Sequence, residues 1–164
     1  MRVVDIETLA QAFANHAATC SSSGVLCTVH VAFESWFRLE LAQTLLTHLE
    51  GNISFDCCYR NSLCKADLLL EAGDAKAAFE LKSFVRGSDA NKLAKFPRQL
   101  ELLKAAVADG MVSQGIAFCT FIGYTNLWVD RLREKLFPVP WETTKLKPIL
   151  ADKPLRFMIA GIGA

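Results

Sequence analysis

Residues 66–84 read ADLLLEAGDAKAAFELKSF, and the way this stretch folds decides the rest of the chain. Two apolar runs flank Gly73-Asp74, a dipeptide suited to a two-residue hairpin turn because glycine takes up positive φ without steric cost. With the turn centred there, residues whose numbers sum to 147 lie opposite each other. Glu71 then faces Lys76, a favourable pair, but Asp67 faces Glu80. Like charges directly opposite in a sheet are destabilising. A three- or five-residue turn would move Asp67 off Glu80 and leave Glu80 and Lys82 as an ordinary surface pair. The run Leu68-Leu69-Leu70 makes both faces of its strand apolar and so requires a covering layer on each. Glu80 and Lys82 share one face of the second strand and Phe79 and Leu81 the other. In a doubly covered sheet the charged pair has no open solvent face, and buried charge needs a partner or a metal.

Outward from the hairpin, the pattern predicts a helix over 6–18 capped by Asp5, a Ser-Ser-Ser-Gly loop at 21–24, and a long amphipathic helix over 31–50 that stops before Gly51. A strand begins at Ile53 and the hairpin strands cover 66–71 and 76–85. VRGSDANKLAK reads as a polar, basic connection, and Pro97 as the first turn of a helix ending at Gly110. A strand at 116–122, a helix at 127–137 ended by Pro138, a Pro-rich link and a terminal strand in PLRFMIAGIGA complete the order. Three consecutive strands followed by alternating helices and strands predict an α/β fold, a mixed sheet flanked by helices on both faces. Residues 110–129 carry no charge, yet Ser113, Gln114, Thr120, Thr125 and Asn126 interrupt them. A buried strand leading into a capped helix accounts for that segment better than a membrane span.

The chain has 164 residues, 52% of them hydrophobic and 21% charged, which fits one globular domain and excludes a disordered chain. A net charge of +1 excludes a uniformly basic nucleic-acid binder, so any such surface must be a local patch. The six cysteines form no C-x-x-C and no zinc-ligand spacing. With no apolar signal segment at the N-terminus, they read as reduced packing residues of a cytoplasmic protein. Gly161 and Gly163 have no helix after them and form no phosphate loop, and no serine sits in a G-x-S-x-G context. His16, His30 and His48 are scattered. Trp36, Trp128 and Trp141 are expected in the core or an interface.

A divalent cation between Asp67 and Glu80 would turn their repulsion into chelation, since carboxylates, waters and phosphate oxygens are the usual ligands of Mg²⁺. Lys82 would stand beside it, and the Leu81 backbone carbonyl offers another oxygen. On the long helix, Phe37, Leu41, Leu45 and Leu49 form the apolar stripe and Glu34 falls within it. Glu34 is therefore the third acidic candidate. Glu40, offset by ~120° at the flank of the stripe, is the reserve.

This arrangement resembles the PD-(D/E)xK nuclease superfamily over roughly residues 30–122. The likeness rests on Glu34 on the helix before the sheet, Asp67 opening a hairpin strand, and Glu80-Leu81-Lys82 on the next strand, followed by a helix and a strand. Ala66 stands where the family has proline. The resemblance implies a restriction-endonuclease-like fold in a single domain, 1–164, with a core of about 30–122 and a C-terminal helix and strand within 125–164. It implies that Asp67 and Glu80 bind Mg²⁺ or Mn²⁺, that Glu34 completes the site, and that Lys82 assists the attacking water. Gln99, beside Arg98, matches the glutamine some members carry on the following helix. From 86 to 98 four basic residues, Arg86, Lys92, Lys95 and Arg98, face one acid, Asp89, a cluster suited to phosphate contacts.

The expected function is metal-dependent hydrolysis of phosphodiester bonds in DNA or RNA, with a homodimer or a partner protein supplying targeting. Two other readings stay open. One is a nuclease-fold module that binds nucleic acid or protein without cleaving. The other is a structural domain whose C-terminal strand pairs with another copy at a sheet edge.

Overall fold

Gly73 takes the positive φ that the turn demands, 59°, and the hairpin closes with Ala72 opposite Ala75 and Glu71 opposite Lys76. These pairs sum to 147, and Lys76 Nζ lies 2.5 Å from Glu71 Oε1. In this computed structural model, which describes residues 3–19, 33–58, 65–87, 90–136, 143–148 and 155–163, the hairpin strands are β2 (Lys65–Ala72) and β3 (Ala75–Val85). Before them come α1 (Ile6–Thr19), α2 (Phe33–His48) and β1 (Asn52–Cys58). After them come α3 (Ala90–Ala108), β4 (Gln114–Ile122), α4 (Asn126–Leu136), β5 (Thr143–Pro148) and β6 (Leu155–Ile162). The six strands form one sheet in the order β1-β2-β3-β4-β6-β5. Among the described strands only β3 and β4 pair in parallel, joined by α3 as a crossover; every other pairing among them is antiparallel. The fold is α/β with a mixed sheet.

Among the described residues, two helices pack on each face of the sheet. On one, Phe13 of α1 and Phe37 of α2 meet Phe118 of β4 and Phe157 of β6, with Phe13 edge-on to Phe118 at 4.9 Å between ring centroids. The Asp5 side chain caps α1 by accepting from the Thr8 N–H at 2.8 Å. On the other face, Phe96 and Leu100 of α3 and Val129 and Leu132 of α4 cover Phe84, Phe121 and Met158. Every residue of β4 is buried, as a strand covered on both sides requires. Gln114, at its start, accepts from the N–H groups of Val3 (3.1 Å) and Val4 (2.9 Å) and donates to the Val4 carbonyl (2.8 Å). One side chain thus satisfies three backbone groups and ties the N-terminal segment to the sheet. Among the described residues no helix is long and apolar enough to cross a membrane.

Three expectations change. The helix after the hairpin starts at Ala90, seven residues ahead of Pro97, which lies inside it. Leu93, Phe96, Leu100, Leu103 and Val107 keep a three-four spacing straight through the proline and pack on the second core. That burial holds the first turns although Pro97 has no N–H for the Leu93 carbonyl. Second, the Pro-rich link contains a strand, β5, paired along β6 from Thr143↔Gly161 to Pro148↔Arg156. Third, β6 is for that reason an interior strand between β4 and β5, with no free edge for another copy. Of the cysteines, Cys119 is buried, Cys57 half-buried and Cys58 exposed, so Cys58 is no packing residue. Cys20, Cys27, Cys64, His30, Trp141 and the 21–24 loop lie outside the described residues.

Candidate active site

The sheet forks where the charged residues lie. β2 and β3 pair as far as Leu68↔Phe79 and stop. β1 and β2 continue together to Cys58↔Lys65, and β3 and β4 to Val85↔Ile122. Past the fork the β3 edge has lost its β2 partner, and side-chain carboxylates take its place. Leu81 N–H donates to Asp67 Oδ2 at 2.7 Å, and Ser83 N–H to Glu34 Oε2 at 3.5 Å. Asp67 thus sits one residue beyond the last β2–β3 pair, and Glu34 reaches the same edge from the first turn of α2. The Leu81 carbonyl leaves β3 on the same side as its N–H.

Glu80 is 4% exposed and accepts no hydrogen bond among the described residues. Burial, and then the neighbouring charge of Asp67, push its carboxyl up to about 8. Burial also raises Asp67; the Leu81 hydrogen bond, Lys82 and Arg38 act against the rise. Asp67 and Glu80 are thus not the cross-strand pair that the hairpin register predicts, because the strands part after Leu68 and Phe79, although the charge of Asp67 still bears on Glu80. Lys82 Nζ lies 3.5 Å from Glu34 Oε1. Lys92 Nζ lies 3.7 Å from Glu34 Oε2 and donates to the Ser83 carbonyl at 2.9 Å. Glu34 thus gathers two lysines at the mouth of the fork. Among the described residues no three His, Cys, Asp or Glu side chains form a metal-binding group. Glu34 is turned to the lysines.

A cleft of about 610 Å³ opens beside Lys82, lined by Asn91, Lys92, Lys95, Arg98 and Gln99 of α3. Lys92, Lys95 and Arg98 are exposed there. Arg86, exposed just past the end of β3, is outside that lining. Glu40 is directed elsewhere and pairs with His16 of α1. Trp36 packs partly buried on the first core, while Trp128 is 45% exposed and so no core residue.

No family model, curated protein or solved structure matches this chain. Two residues that are not among the sequence candidates also reach the fork, Arg38 and Asp56. Arg38, one helical turn after Glu34, donates to Asp67 Oδ1 at 3.3 Å through Nη2 and to Asp56 Oδ2 at 2.9 Å through Nη1. Its i,i+4 relation to Glu34 places both on one side of α2, a spacing visible in the sequence. Asp56 on β1 had no such signal, because only the β1–β2 register sets it beside Asp67.

Proposed function

We propose that the protein is a metal-dependent nuclease built on a restriction-endonuclease-like form of this α/β sheet. The observation that carries the reading is Glu80: a residue almost completely buried, with no hydrogen bond among the described residues, and burdened by the like charge of Asp67. Such a group is costly unless a cation or a proton compensates it. The donor set fits a hard divalent ion, since Asp67, Glu80 and the Leu81 carbonyl offer only oxygen, the ligand type that Mg²⁺ and Mn²⁺ take. A cation held there supplies Lewis-acid neutralisation of phosphate charge and a more acidic water.

The remaining work falls to the chain's own side chains. Asp67 is fixed by the Leu81 N–H, so its second oxygen stays directed into the fork. Lys82, steadied by Glu34, presents an ammonium donor that orients a water and stabilises charge as it grows on the phosphate. Lys92, Lys95 and Arg98 line the adjoining cleft and hold the backbone phosphates of the strand, which attract cations regardless of sequence. Gln99, on the same wall, donates or accepts a hydrogen bond at the phosphate or base edge. DNA is the favoured substrate, with RNA the alternative.

The test is a Mn²⁺-dependent cleavage assay on single-stranded, duplex and branched DNA and on RNA, with Lys82→Ala in parallel. Cleavage by the wild type and none by the variant supports the nuclease. Equal cleavage by both rejects Lys82 as a participant. No cleavage of any substrate, together with retained nucleic-acid binding, makes the protein a binding module on this fold.

A further inference from the structure

Arg38 is bound at the fork in a manner that the chemistry proposed above does not require. Its guanidinium spans two carboxylates on neighbouring strands, Asp56 of β1 and Asp67 of β2. The two stand opposite each other, since the β1–β2 register runs Phe55↔Leu68 and then Cys57↔Ala66. Asp56 holds its end of the bridge from φ 52°, the only positive φ of a non-glycine residue in the described chain. Aspartate tolerates that region better than most side chains, but at a cost. Arg38 Nε is buried and meets no acceptor among the described residues, a second cost. The Phe55 ring lies 5.9 Å from the guanidinium carbon, at the limit of a cation–π contact. An arginine with one unmet donor, held by a strained exposed aspartate, is poised to leave one of its two partners.

We propose that Arg38 is a placeholder for the divalent cation: it occupies Asp67 Oδ1 in the cation-free protein and yields that oxygen when the ion arrives, while Asp56 retains the guanidinium. This inference rests on the reading of Asp67 and Glu80 as a cation site and concerns how that site is regulated. Asp67 has two oxygens, one committed to the Leu81 N–H and the other to Arg38. The Arg38-bound oxygen is the one left for an ion, and a guanidinium beside a divalent ion repels it. Arginine stays charged at every accessible pH, so the exchange is not a titration. Asp56, with 62% of its side chain exposed, can take the whole guanidinium at little desolvation cost. The device keeps Asp67 paired until a cation binds and sets a threshold concentration for loading.

Calorimetric titration of the full chain with Mn²⁺ alone, at about 0.15 M salt where exposed charges are screened beyond ~8 Å, tests this without measuring cleavage. Arg38→Met should bind Mn²⁺ roughly tenfold more tightly than the wild type, the scale of one lost charge-assisted contact. Asp56→Asn should weaken binding about threefold, because the guanidinium then rests on Asp67 alone; that effect should vanish in the Arg38→Met background. Asp56 is exposed and asparagine accepts its backbone conformation, so this variant decides the matter if Arg38→Met fails to fold. Equal or weaker binding by Arg38→Met, or unchanged binding by Asp56→Asn, overturns the placeholder and leaves the cation site standing wherever the wild type binds and Glu80→Gln does not. If neither the wild type nor Arg38→Met binds Mn²⁺, the placeholder and the cation site fall together.

Discussion

Replacing Glu80 by glutamine should make the cation-free protein more stable, and more so as pH rises. Unfolded, this carboxyl ionises near 4.5; folded, burial and Asp67 hold it protonated up to about 8. Between those values the native state binds the extra proton, so stability falls with rising pH. The effect of the group is small below the unfolded value and is complete above the folded one. At ~1.4 kcal/mol for each pH unit inside that window, going from about pH 5.5 to about pH 8.5 costs roughly 3 kcal/mol. This slope is opposite to that of salt-bridged carboxylates, which lose stability in acid. Urea unfolding in chelator, wild type against Glu80→Gln, isolates the group because every other titration is common to both proteins. The wild type should lose roughly 3 kcal/mol relative to the variant across that range, and saturating Mn²⁺ should abolish most of the difference. A wild type as stable as Glu80→Gln at both pH values would refute the picture of a burdened carboxylate. So would a variant destabilised at about pH 8.5, which would mean that the ionised group is held by favourable partners.

Two further outcomes follow from the same geometry. Gln114→Leu should destabilise the protein by about 2–4 kcal/mol, because it strands two backbone N–H groups and a carbonyl that the glutamine alone satisfies; chemical denaturation reads this, and a loss below ~0.5 kcal/mol would show that the N-terminal segment is not tied there. The triple variant Lys92→Ala, Lys95→Ala, Arg98→Ala should weaken binding to every nucleic acid alike and lower the slope of log K against log salt by about 2 to 3. An unchanged slope in fluorescence anisotropy would move the phosphate track away from the α3 cleft.

The α3 helix shows where local signals mislead. Pro97 and the polar residues before it argue for a connection, and that is sound when backbone propensity is the only consideration. Leu93 and Phe96 carry the contrary signal, a stripe continuous with Leu100, Leu103 and Val107. It prevails because burial against β3 and β4 outweighs one missing hydrogen bond. The extra strand β5 gave no comparable sign: TTKLKP is short, mostly polar and ends in a proline, and it becomes a strand through β6 lying alongside.

The hairpin, its register near the turn and the identity of the charged residues on it are legible in the sequence. Those are set within a few residues, by the Gly73-Asp74 turn and by side-chain alternation in strands. The α/β class likewise follows from the order of apolar periods along the chain. The environment of those charges is not legible there. The register continues on paper to Asp67 opposite Glu80, but the strands part after Leu68 and Phe79, and twist and helix packing, not local pattern, locate the fork. There a side chain from α2, Arg38, and another from β1, Asp56, enter a site that the hairpin alone would have left to Asp67, Glu80 and Lys82. Glu34 is drawn to the lysines, and Glu40 goes to His16. Charge placement of this kind depends on distances of a few ångströms between residues far apart in the chain, and so it is settled by the fold.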